Sequence, residues 1–103
     1  MLSGKNRAEL EDLINELNKS EAKLSAEIIE LEDIMADDQL KLALLEDSTN
    51  REYQAMREFY VRRLVRNRRK LEELKRQGAR LGEELKVAKE HLRTAPSEVL
   101  AAH

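Results

Sequence analysis

The chain has no cysteine and no tryptophan, one proline, three glycines and only 3% aromatic residues. Without cysteine there is no disulfide framework and no thiolate chemistry, which fits a reducing compartment. So few aromatics beside 39% charged residues exclude a core filled from several directions. No apolar run approaches the ~18 residues of a membrane span, and Met1 to Asn6 lacks the apolar centre of a signal peptide. At 103 residues the chain is one domain at most. These absences predict a cytoplasmic protein, cytoskeleton-associated in one reading, with the nucleus as the alternative.

Leucine, glutamate, lysine and arginine at helical spacing are what remain, and they predict an all-α fold built on a long coiled-coil helix. Residues 1–5 read as a leader, 6–94 as the helical region and 95–103 as a flexible tail after Thr94-Ala95-Pro96. Asn6 with Glu9 suits a helix start. From Leu10 a heptad seam runs through Ile14, Leu17, Leu24, Ile28, Leu31, Met35, Leu42 and Leu45, interrupted by Glu21 and Asp38. A second block runs through Tyr60, Leu64, Leu71, Leu74, Leu81, Leu85, Ala88 and Leu92, interrupted by Asn67 and Gly78.

The two blocks are out of phase by one residue. Leu42, Tyr53 and Leu64 stand eleven apart, with Leu45, Met56 and Tyr60 between them, so one continuous helix passes through if the supercoil unwinds locally. The rival is a break near 47–50, where Glu46-Asp47-Ser48-Thr49-Asn50 favours helix least and Thr49 with Glu52 matches a capping box. The first reading makes a dimeric rod; the second makes an intramolecular two-helix hairpin.

Charge sets the direction of pairing. Residues 7–47 carry four basic and thirteen acidic side chains, and residues 48–93 carry fourteen basic and seven acidic, nets of −9 and +7. Beside the seam the first block places Glu11, Glu27, Glu32 and Glu46 against Lys41. The second places Arg63, Arg68, Lys70, Lys75 and Lys89 against Glu84. Parallel pairing sets like on like; antiparallel pairing sets acid on base, each exposed pair contributing about 0.2–1 kcal/mol. Pairing residues whose numbers sum to 102 sets Leu31 on Leu71, Leu17 on Leu85 and Gly78 on Leu24, and a sum of 95 also works. Asn67 argues the other way, since a lone core asparagine often specifies a parallel dimer.

Residues 57–70 combine seven basic side chains with Phe59, Tyr60, Val61, Leu64 and Val65. Arg57, Phe59, Val61, Arg62, Arg66 and Arg69 are the candidate partner-binding residues, beside the plainer reading that these arginines answer the acidic half. The carboxylates of 27–38 lie all round the helix without a calcium-loop pattern, and His91 and His103 lack ligand partners at metal spacing. No Gly-rich phosphate loop is present. The sequence therefore predicts no metal, no cofactor and no catalysis.

Arg51 to Leu74, with its periodic leucines, resembles the finger-shaped hairpins that bind Rho-type small GTPases. It lacks a diagnostic motif, so no residue role is carried over. The leading expectation is a structural or oligomerisation module of a larger cytoskeletal, motor, centrosomal or trafficking protein. It would assemble as a homodimer through the seam Leu10, Ile14, Leu17, Leu24, Ile28, Leu31, Met35, Leu42, Leu45, Met56, Tyr60, Leu64, Leu71, Leu74, Leu81, Leu85 and Leu92. The alternative is a helical-hairpin module for a protein partner such as a small GTPase. A third class, microtubule or nucleic-acid binding through 57–70, ranks below it and predicts affinity falling steeply with salt.

Overall fold

Between Lys5 and Gln77 there is neither glycine nor proline, and a computed structural model turns this stretch and its continuation into two helices. It describes residues 5–47 and 49–95. The first helix, α1, spans Arg7–Leu45 and the second, α2, spans Arg51–Thr94; no strand occurs among the described residues. The expected all-α fold is present, and the leader 1–4 and the tail 96–103 lie outside the described residues.

The ends of the helices follow from side chains that satisfy free backbone groups. At the start of α1 the Asn6 side-chain oxygen accepts from the Glu9 amide at 2.9 Å, as the sequence predicts. The break also falls where helix propensity is lowest, but its cap is not Thr49. Asn50 takes that role: its side-chain oxygen accepts from the Glu52 amide at 2.9 Å, and its carbonyl accepts from the Gln54 amide at 2.9 Å. Because α2 begins at Arg51, Asn50 holds the cap position and Thr49 lies one residue too early. At the far end the Thr94 hydroxyl donates to the Glu90 and His91 carbonyls at 3.3 and 3.2 Å.

Two compact units divide the chain. In the terminal unit, up to Leu24 and from Gln77, α1 contributes buried Leu10, Leu17 and Leu24 and α2 contributes buried Leu85 and Ala88. Leu13, Ile14 and Leu81 pack against Leu17, Leu85 and Ala88. In the turn unit, Ser25–Arg76, the buried set is Leu31, Met35, Asp38, Leu64 and Leu74. Ile28, Leu42, Leu45, Tyr60 and Leu71 are half-buried beside them.

Within each unit the helices run antiparallel, so the continuous-helix reading gives way to a fold-back. Arg7 reaches the Leu92 carbonyl at 3.5 Å, and a Cβ on Gly78 would meet Leu24 at 3.5 Å. In the turn unit Asp38 pairs with Arg63, and Arg57 donates to the Glu46 carbonyl at 3.1 Å. These pairs sum to 99, 102, 101 and 103, which selects the 102 alignment over 95. Asn67 is half-buried in a unit whose helices run antiparallel, so it does not dictate parallel pairing. Met56 departs from the expected seam and is 44% exposed. The residue level with it is Glu46, already past the end of α1, so no helix is there to cover it.

Helical Gly78 and Gly82 have no positive φ to justify them. A Cβ at Gly78 would make only ordinary contact with Leu24, and one at Gly82 would meet nothing within 4 Å. Gly78→Ala with Gly82→Ala is therefore expected to stabilise the protein by about 1–2 kcal/mol, since each helical glycine costs about 0.5–1 kcal/mol against alanine. Urea unfolding checks this; an unchanged or lowered midpoint would show that the backbone needs glycine there.

Candidate interaction surface

An acidic residue at a seam position must be paired or protonated, and Asp38 has no exposed surface. Arg63, half-buried on α2, supplies two donors to it: Nε reaches Oδ2 at 2.6 Å, and Nη2 reaches Oδ1. The Arg63 guanidinium carbon stands 5.1 Å from the Phe59 ring centre and 5.7 Å from that of Tyr60. The two rings meet edge to face, 5.5 Å apart at 70°. Lys41 completes the cluster, its Nζ 5.7 Å from the Tyr60 ring centre and 2.9 Å from Asp37 Oδ2.

The hydrogen bonds from Arg63 hold the Asp38 carboxyl below its ordinary value against the opposing effect of burial; the charges of Arg63 and Lys41 add to this. The same hydrogen bond holds Arg63 above its ordinary value. Lys41 is raised chiefly by its hydrogen bond to Asp37. Asp38 is thus an engaged anion without a spare proton to exchange, and its task is to position the helices. A slip of seven residues, to the 95 alignment, would bring Met56 to the place of Arg63 and break this two-donor pair, with Arg57 the arginine then level with Asp38. The heptad pattern marks Asp38 as out of place, but Arg63 becomes its partner only once the alignment is known.

Charge complementarity between the halves is expressed sparingly as contacts. Arg7–Glu11, Lys19–Glu16, Lys41–Asp37, Arg62–Glu58 and Arg76–Glu73 all pair within one helix, while Asp38–Arg63 crosses. Two arginines instead cap the opposite helix. Arg57 on the Glu46 carbonyl and Arg7 on the Leu92 carbonyl each bring a cation to a C-terminal end, where it offsets the helix dipole.

The candidate partner-binding residues do not behave as one group. Arg57 is engaged at the turn, and Phe59, 52% exposed, flanks the Asp38–Arg63 pair. Arg62 shares a loose 3.8 Å contact with Glu58. Arg66 and Arg69 are exposed, with no carboxylate within ion-pair distance among the described residues. With Arg62 they border a shallow concavity holding Val61 and Val65, 42% and 45% exposed. Ile29, Ile34, Leu40 and Leu44 on α1 and Tyr53 and Met56 on α2 add exposed apolar surface to the same unit; in the terminal unit Val87 is the comparable residue among those described.

Between the helices of the turn unit lies a groove of about 390 Å³. Its floor is Leu42 and Leu64, its walls are Ala43 and Val61, and its rims carry Glu46 on one side and Arg68 on the other. Among the described residues no group of three His, Cys, Asp or Glu side chains is placed to hold a metal ion, and no helix is long and apolar enough to cross a membrane. No family model, curated protein or solved structure matches the chain.

Proposed function

We propose that this chain is a non-catalytic helical-hairpin module that binds a protein partner through the outer face of α2, the partner presenting an acidic surface with apolar anchors. One observation carries the reading. The leucine seam is covered by the chain's own second helix, whereas Val61 and Val65 stay exposed between Arg62, Arg66 and Arg69. A seam closed in this way is not available to recruit another chain, which moves the weight from oligomerisation through the leucines to binding on the outside. Apolar side chains framed by exposed arginines fit a partner better than water does: burial of the valines supplies affinity, and the arginines select for carboxylates. A small GTPase or a similar folded protein suits this chemistry. In a larger cytoskeletal, motor, centrosomal or trafficking protein the hairpin would serve as an attachment point.

The test is a comparison of bound proteins between the wild type and an Arg62→Ser, Arg66→Ser, Arg69→Ser variant. All three side chains are on the outer face of α2, so helix content by circular dichroism is expected to stay unchanged. A partner retained by the wild type and lost by the variant supports the reading. Identical sets on both, or a variant that loses its helix, would return these arginines to a structural role. If the retained species is nucleic acid or microtubule polymer and its affinity falls steeply with salt, the third class replaces the protein partner.

A further inference from the structure

We propose that the outer face of α1 in the turn unit, the side turned away from α2, takes a basic amphipathic helix of another protein as a third helix beside the hairpin. This surface is separate from the arginines of α2 and goes beyond the function proposed above. The three most exposed large apolar side chains among the described residues, Leu44, Leu40 and Ile29 at 77%, 61% and 60%, all stand on it. Their placement is regular. Ala26, Ile29, Asp33, Ala36, Leu40 and Ala43 follow one another at spacings of three and four, every one exposed, with Leu44 at the edge. At about 3.6 residues per turn this stripe lies opposite the buried Leu31, Met35 and Asp38. In this unit α1 thus carries two heptad seams, and α2 covers one of them. A helix that is apolar on two sides belongs between two neighbours.

The stripe also defines the kind of neighbour. Small Ala26, Ala36 and Ala43 stand among large Ile29 and Leu40, a surface of holes and knobs that another helix fills at close approach. Its borders are acidic, Glu30 and Asp37 on one side and Glu32 on the other, and Asp33 lies inside it. Glu30, Glu32 and Asp33 have no cation within ion-pair distance among the described residues, and the nearby Lys41 is held by Asp37. Flanking charges select the partner of such a seam. They disfavour a second α1 whichever way it runs, because antiparallel pairing sets Glu30 on Asp37 and parallel pairing sets Glu32 on Asp37. The outer face of α2 from a second copy has the right charge but offers Val61 and Val65 among Glu58, Arg62 and Arg69, too little apolar cover for this stripe. Anionic bilayers and nucleic acid are repelled. What fits is an apolar stripe edged by lysine or arginine, with one cation inside it at the level of Asp33. The inner seam already uses that solution, where Asp38 is answered by Arg63 of the basic helix.

Titration calorimetry of the full chain tests this with a designed peptide of about three heptads, leucine and alanine at its seam positions and lysine at the flanking ones. Binding is expected for this peptide and not for its twin with glutamate at the flanks. Leu40→Gln with Leu44→Gln is expected to weaken binding at least about tenfold, with helix content unchanged because both side chains are exposed. Should that variant lose helix, Ile29→Gln repeats the test from the other end of the stripe. Glu30→Gln with Asp33→Asn is expected to weaken binding several-fold and to lessen its dependence on salt. A wild type that binds neither peptide overturns the proposal. So does equal binding of both peptides, or binding indifferent to Leu40 and Leu44. Sedimentation equilibrium of the chain alone is expected to give 12.0 kDa, and a dimer abolished by the same leucine substitutions would instead assign the face to a second copy. The variant Arg62→Ser, Arg66→Ser, Arg69→Ser is expected to bind the basic peptide as the wild type does, so failure of this proposal and failure of the function proposed above are read separately.

Discussion

Replacing Arg63 with methionine is expected to invert the effect of acid on the protein's stability. In the wild type the folded-state pKa of Asp38 is depressed, first by its hydrogen bonds from Arg63. A depressed carboxyl contributes stability that is present above its unfolded value, ~3.9, and is lost as pH falls through the lower folded value. Between pH 7 and 5 this group therefore contributes a constant amount. In Arg63→Met the hydrogen bonds and the nearest positive charge are gone. Burial then raises the pKa, opposed by Lys41, itself engaged with Asp37. A raised carboxyl contributes most below its unfolded value and loses that contribution as pH rises through the folded one.

The variant should accordingly be weakest at pH 7 and recover on acidification, whereas the wild type gains nothing. Leaving Asp38 buried and unpaired costs about 1–3 kcal/mol, and the lower end is expected because only one helix lies over it. Urea midpoints at pH 7, 6 and 5 for both proteins give the answer as a difference, since the other carboxylates are common to both. If that difference is flat across the range, Asp38 is not shielded as described. Asp38→Leu with Arg63→Met removes the pair together; it is expected to be at least as stable as the wild type at pH 7, because an apolar pair spares the desolvation of two charges.

The second large effect concerns the turn. Asp47→Ala, Ser48→Ala, Thr49→Ala and Asn50→Ala together replace four weak helix formers with the strongest one and delete the Asn50 cap. The propensity gain and the lost cap favour a continuous helix by about 3 kcal/mol per chain. Opposing this, folding back within one chain has an effective concentration of order 1 mM, worth about 2 kcal/mol against a solution of about 50 µM. The balance tips, and the hairpin is expected to open into a rod in which each seam is completed by another chain. Leu24→Cys with Gly78→Cys distinguishes the two states, because those positions touch in the antiparallel seam. With the natural turn the disulfide closes within one chain, giving 12.0 kDa on a denaturing gel, whereas with the alanine turn it links two chains. Chains linked to each other with the natural turn in place would remove the hairpin.

That small margin explains which features were legible beforehand. Ile14, Leu31, Leu64 and Leu85 announce themselves by heptad spacing, because a helix can shield a leucine only along one stripe. Met56 misled for the same reason: its spacing is correct, but its cover depends on where α1 stops. The candidate surface was legible in part. The mix of valine and arginine in 57–70 is visible in the sequence, but which arginines remain unpaired is not. Arg57 and Arg63 are consumed by a carbonyl and a carboxylate of α1, and that follows only from the alignment of the helices.

By itself the sequence determined that the chain is helical, where its apolar stripe lies, and that acidic and basic halves pair in opposite directions. All three arise from short-range propensity, from spacing and from net charge, none of which depends on the partner's location. Only the tertiary structure decided that the partner is the same chain, that residues pair at sums near 102, and that Asp38 is held by Arg63. A heptad seam is satisfied equally well within one chain or between two, and nearly as well one heptad along. The choice is therefore visible only in the end of one helix at Leu45 and in the cross-helix contacts themselves, Asp38 with Arg63 among them.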